Sequence, residues 1–256
     1  MNYDFHIGID YSGAKTPTSR LKGLQVYAAE GETPQIVTSP SIPEGKRWNW
    51  TRQEIADWLI EQARSGKRFI AGIDHGFSFP LRYFHRYELT SWQKFLDDFV
   101  EHWPTHEPNM YVDFIRDKKP ARVGSNTEFR ITEKWTSSAK SVFQFDVQGQ
   151  VAKSTHAGIP WLKHIRDEVG EAVHVWPFDG WKVPDGKSMI AEVYPSIFRN
   201  RYPRDERTGD QQDAYAIARW LSEVDEQGFL GRYFDPPLTD EDRRIADLEG
   251  WILGIA

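Results

Sequence analysis

The chain contains no cysteine among its 256 residues, which excludes disulfides and thiolate metal sites. It also has no run near the ~18 apolar residues of a membrane span. The opening segment, MNYDFHIGID, lacks the basic and apolar regions of a secretory signal. These absences lead to the expectation of a cytoplasmic protein with no membrane partner, in which the sequon Asn49-Trp50-Thr51 is a helix entry and not a glycosylation site. Positive charge is scarce: 32 Lys+Arg stand against 38 Asp+Glu, a net charge of −6. Such a chain does not coat nucleic acid by bulk charge and holds a polyanion only through local patches or metal ions. What is present is a large apolar inventory, 39% hydrophobic and 14% aromatic with 11 Trp, enough for a sizeable core and incompatible with disorder as the main state.

The order of elements is a mixed α/β pattern. Phe5 to Asp10 (FHIGID), Gly23 to Ala29 and Gln35 to Thr38 are strand-like runs joined by short loops, an antiparallel meander. Thr51-Arg52-Gln53-Glu54 matches a capping box, and Ile55, Trp58 and Leu59 carry helical spacing up to Ser65-Gly66. Phe69 to Asp74 (FIAGID) is a second buried strand ending in Asp. Residues from about 77 to 170 form an insertion in a single domain spanning 1–256. Within it the spacing predicts a helix over Ser91 to His102 capped by Thr90, a strand over Ser141 to Val147, and a helix entered at Gly158-Ile159-Pro160 and ending near Val169. Strands follow at Ala172 to Trp176 and Met189 to Val193, then helices at Asp210 to Glu223 and from Thr239 onward.

Three strand-like runs end in acid, at Asp10, Asp74 and Glu192, and a fourth acid, Asp213, stands near the start of a helix. Buried strands avoid carboxylates, and in an open α/β sheet the carboxyl ends of strands collect ligands. Neighbouring strands lie only about 4.8 Å apart, so two such ends can share one cation. Clustered carboxylates are most simply neutralised by Mg²⁺ or Mn²⁺, which also activate water and stabilise phosphoryl transition states. Singly, Asp10 and Asp74 read as turn residues, and Glu192 as an edge-strand charge. The Gly-Ile-Asp tripeptide that closes two strands favours a shared site. Asp213 is the ligand candidate on its helix and Asp210 a cap or supporting group; Glu249 is unassigned. Lys140 with the segment Gln150 to His156, including Lys153, Ser154 and His156, concentrates basic and small polar groups, suited either to gripping a phosphate or to forming a solvated loop. Two further basic groups are Arg116, Lys118, Lys119 and Arg122, and Arg199, Arg201, Arg204 and Arg207. Gly186-Lys187-Ser188 fails as a phosphate loop because position 181 is Trp and the segment precedes a strand. His102 and His106 fail as a zinc pair because Pro104 intervenes.

Gly8-Ile9-Asp10, Gly72-Ile73-Asp74, Glu192-Val193-Tyr194-Pro195, Asp210-Gln211-Gln212-Asp213-Ala214 and Glu249-Gly250-Trp251-Ile252 together resemble the predicted nucleases of the domain of unknown function 429 family. That family is similar to the ribonuclease H-like superfamily. The resemblance spans Gly8 to Ile252 through short motifs. It implies a mixed sheet of five main strands, three antiparallel and then parallel ones, flanked by helices. It also implies a catalytic set of Asp10, Asp74 and Asp213, with Glu192 as a candidate fourth member, working through two divalent ions about 3.5 to 4 Å apart on nucleic acid. Glu54 and Glu61 on the first helix are not assigned; if neither points inward, the site resembles the junction-resolving branch. Two other readings stand beside it. One is an actin-like kinase or ATPase, for which Asp179-Gly180 and Asp185-Gly186 are in plausible places, and the other is a binding module without catalysis.

Overall fold

The computed structural model describes residues 3–41, 49–136, 138–146 and 151–256. Its strands are β1 (Phe5–Asp10), β2 (Gln25–Ala29), β3 (Gln35–Ile36), β4 (Phe69–Asp74), β5 (Val173–Trp176) and β6 (Ser188–Glu192). The helices are α1 (Arg52–Arg64), α2 (Leu81–Arg86), α3 (Trp92–His102), α4 (Val112–Asp117), α5 (Ile131–Trp135), α6 (Ala152–Val169), α7 (Gly209–Glu226), α8 (Leu230–Tyr233) and α9 (Asp240–Glu249). The strands form one sheet in the order β3-β2-β1-β4-β6-β5. β2 runs antiparallel to β1 and β3, while β1, β4, β6 and β5 are mutually parallel. The expected meander followed by parallel strands is present. Six strands pair instead of the five main ones that the resemblance implies.

Strand alternation sorts the core into two layers. Ile7, Ile9, Ala71 and Ile73 pack with Ile55, Leu59, Leu162 and Ile165 from α1 and α6. On the other face Ile70, Met189 and Ala191 meet Ile217, Trp220 and Leu221 of α7. α1 begins as its sequence predicts: the Thr51 side chain accepts from the Glu54 amide, and Glu54 accepts from the Thr51 amide.

The segment from 77 to 170 departs from expectation in three places. The cap of α3 is Ser91, whose hydroxyl accepts from the Lys94 amide; Thr90 lies one residue outside. Ser141 to Asp146 is a turn, closed by the Gln144 amide on the Ser141 carbonyl, and not a strand. Its apolar alternation reflects Phe143 and Phe145 entering a ring cluster around His156; Val147 lies outside the described residues. α6 starts at Ala152, and Pro160 sits inside it. Proline leaves the carbonyl four residues back without its helical donor. That carbonyl, on His156, accepts instead from the Thr105 hydroxyl at 2.7 Å. No helix among the described residues is long and apolar enough to cross a membrane.

Candidate metal centre

Asp10 and Asp74 are register partners at the carboxyl ends of β1 and β4, as are Gly8 with Gly72 and Ile9 with Ile73. Within each tripeptide the residues two apart share a face. The isoleucines enter the α1/α6 core, while the glycines and aspartates face α7. A Cβ at Gly8 would lie 2.1 Å from the Ala214 carbonyl oxygen, and one at Gly72 would lie 2.6 Å from Cγ2 of Ile217. The glycines therefore let α7 rest directly on the two central strands. This contact carries Asp213, in the second turn of α7, over the paired aspartates. One carboxylate oxygen from each of Asp10, Asp74 and Asp213 lies within 4.8 Å of the others, so the group can hold a metal ion. The three are half-buried.

The electrostatics of the cluster are those of confined like charges. Burial, then repulsion from Asp74, Asp210 and Asp213, holds the Asp10 carboxyl well above its ordinary pKa. Asp74 is raised well above its usual value by burial and then by Asp213 and Glu192, against the lowering influence of Arg199. Asp213 is raised by burial and partly restored by Arg199. Such a set lacks positive charge at its centre. The donors are hard carboxylate oxygens without sulfur, and the nearby His75 is buried, its Nδ1 donating to the Gly76 carbonyl at 2.9 Å. That donor chemistry fits a hard divalent cation.

The cluster opens into a cleft of about 750 Å³ lined also by Ser12, Ser138, Lys140, Ser154, Tyr194, Ser196, Arg199 and Asp210. One wall, the loop after β1, is fixed by Arg52. This fully buried residue donates from Nη1 to the Ser12 and Ala14 carbonyls and from Nη2 to that of Lys15. Asp210 is exposed in the first turn of α7, where it adds negative charge near Asp10 and Asp213. It is not the cap: Thr208 holds that position, paired reciprocally with Gln211.

Glu192 stands apart from the three. It is the register partner of Ile73 and not of Asp74, so its side chain leaves the sheet on the opposite face. There Arg130 binds it through Nη1 at 2.7 Å and Nη2 at 2.5 Å, and the Phe77 amide donates to Oε2 at 3.0 Å. Arg130 also donates from Nε to Glu133 at 2.8 Å. Burial, opposed by Arg130, leaves the Glu133 carboxyl raised to about 7. Glu249 likewise serves the frame, accepting from the Leu81 and Ile131 amides. Glu54 is held by Arg20 and the α1 cap, and Glu61 is exposed.

Of the expected phosphate-gripping group, Lys140 is exposed on the cleft rim and Ser154 lines it. Lys153 is paired with Asp113 at 2.7 Å. His156 is buried: its Nδ1 donates to the Ala152 carbonyl, and Phe79, Trp103 and Phe145 surround the ring. Burial pushes its pKa down to about 3, leaving a neutral ring that cannot reach an anion in the cleft. Gln150 lies outside the described residues. The other basic groups are mostly occupied, Arg122 by Asp98, Arg116 by Asp146, Lys118 over the Phe114 ring and Arg207 over the Tyr215 ring. Asp179 turns back to the Val175 amide and pairs with Arg166.

Sequence reasoning missed Arg130 and Arg52, and placed Arg199 in a basic group without its tie to Asp213. No spacing signal marks these contacts, because the partners are 62, 37 to 40 and 14 residues away along the chain. The seat for α7 was also missed, although Gly two residues before Asp in both strands is the signal that marks it. No family model, curated protein or solved structure matches the chain.

Proposed function

We propose that the protein is a metal-dependent phosphodiesterase acting on nucleic acid, with Mg²⁺ or Mn²⁺ as the ion. The observation that carries this reading is the convergence of Asp10, Asp74 and Asp213 within 4.8 Å in a cleft that Lys140 and Arg199 also line. A divalent cation held by these carboxylates would supply charge neutralisation and Lewis-acid activation of water, the two needs of phosphodiester hydrolysis. The residues divide the work. Asp10 and Asp74 are fixed by the central strands, and Asp213 by a helix packed against them, so the ligands are preorganised on rigid elements. Lys140 and Arg199 offer donors to phosphate oxygens, and Ser12, Ser138 and Ser196 offer hydroxyls for sugar or phosphate groups. Arg52 anchors the loop after Asp10 through the Ser12, Ala14 and Lys15 carbonyls.

The test is cleavage of single- and double-stranded DNA and RNA oligonucleotides with and without Mg²⁺ or Mn²⁺. Activity is expected only with the ion, and Asp10→Asn or Asp74→Asn should lower it by on the order of 10³-fold or more while circular dichroism stays unchanged. Cleavage that survives both substitutions would overturn the reading.

A further inference from the structure

The ion pair between Arg199 and Asp213 is longer than the arginine pairs at Asp98 and Glu54, and matches the surface pair of Arg116 with Asp146 at 3.2 to 3.3 Å. Arg122 grips Asp98 at 2.7 to 3.0 Å through Nε and Nη2, and Arg20 reaches Glu54 at 2.7 Å. Arg199 meets Asp213 through Nη1 alone, at 3.3 Å from Oδ1 and 3.2 Å from Oδ2. These distances exceed the 2.7–2.9 Å typical of charge-assisted hydrogen bonds. Its side chain is 44% exposed, against 17% for Asp213. The residue lies on a short 3₁₀ turn, 199–201, and lines the same cleft as the three aspartates. It therefore supplies positive charge to a carboxylate that can serve the metal group, through one nitrogen and from a half-exposed position. A cation on Asp213 and a guanidinium on the same carboxylate repel each other, so each weakens the binding of the other.

We propose that Arg199 is the resident counter-ion of Asp213 in the metal-free protein, displaced when a divalent cation takes that carboxylate and thereby released to hold a substrate phosphate. The inference rests on the metal-dependent phosphodiesterase reading. It makes Arg199 a coupling residue: the charge that pairs with Asp213 without the ion becomes the charge that recognises substrate with it. A purely structural salt bridge would support both binding steps or neither, whereas this arrangement makes them move in opposite directions.

The full-length protein, Arg199→Gln and Arg199→Lys would be titrated with Mn²⁺ by calorimetry at pH 8 and low salt. A phosphorothioate oligonucleotide would then be titrated by fluorescence anisotropy in saturating Mn²⁺. Arg199→Gln is expected to bind Mn²⁺ about three- to tenfold more tightly, and the oligonucleotide more weakly by about the same factor. Arg199→Lys, which keeps the charge, should stay near wild type for the ion. Among the described residues the hydrogen bonds of the Arg199 side chain go to Asp213, and thermal melting of each variant checks that the fold is kept. If the wild type binds Mn²⁺ and Arg199→Gln binds it equally or less well, this inference is overturned while the metal centre stands. If neither protein binds Mn²⁺, the metal-centre reading and this inference fall together.

Discussion

At the scale of single residues, the cluster of Asp10, Asp74 and Asp213 confines like charges within 4.8 Å of one another. Asp10 and Asp74 are both held above the ordinary carboxylate range, first by burial and then by each other's neighbourhood of negative charge. The sign of the resulting pH dependence follows from linkage. A carboxylate whose pKa is higher in the folded than in the unfolded chain makes the folded state bind more protons between those two values, so stability falls as pH rises through that window. The contribution is fully present below about pH 4, the unfolded value, and is lost as pH passes the raised folded values. Without divalent ions, these two groups should therefore make the protein less stable at pH 8 than at mildly acidic pH. Asp74→Asn removes one of the repelling charges. In EDTA at pH 8 it should gain stability on the order of 1 kcal/mol, or about 2–4 °C in Tm for a chain of this size, while losing the response of Tm to Mn²⁺ that mass action predicts for a bound ligand. A lower Tm for the variant under these conditions would contradict the account of the cluster as unfavourable without the ion.

At the scale of elements, the decisive contact is between α7 and the strand pair β1/β4. Gly8→Ala would place a methyl group 2.1 Å from a backbone oxygen of α7, a clash that no rotamer relieves. The helix must shift, at a cost of about 1–3 kcal/mol, and Asp213 shifts with it. Gly209, at the start of the same helix, has open space around it, so Gly209→Ala should change stability by no more than about 1 kcal/mol, in the favourable direction. Urea denaturation of the two variants should separate them, and only Gly8→Ala should weaken Mn²⁺ binding; equal effects would place the importance of α7 elsewhere. This contact also marks how far the sequence could be read. Gly-Ile-Asp carries a local period of two, so strand, buried face and terminal acid were all visible in three residues. Glu192 carried the same sign, an acid ending a strand, but its pairing with Ile73 in place of Asp74 is a tertiary fact, and one residue of register sends it to the opposite face. His156 looked like a polar loop residue because Pro160 suggested a helix start. Thr105, 51 residues away along the chain, satisfies the carbonyl that proline leaves open, and the helix extends far enough upstream to bury the histidine.

At the scale of the whole molecule, a net charge of −6 means that a polyanion approaches against the mean field. Asp10, Asp74 and Asp213 line the cleft where it would bind. Within that cleft the cationic side chains among the described residues are Lys140 and Arg199, since most of the remaining basic groups are engaged with acids or aromatic rings. Binding should therefore depend on the ion more than on bulk electrostatics. A single-stranded oligonucleotide should bind weakly in EDTA and more tightly in Mn²⁺. With the ion held constant, the logarithm of its affinity should fall with the logarithm of monovalent salt at a slope of about −1 to −2, since each cationic contact with a single strand contributes roughly −0.7. A slope steeper than about −4, or binding unaffected by EDTA, would mean that an extended basic surface does the holding. The cleft at the ends of β1 and β4 would then not be where nucleic acid is bound.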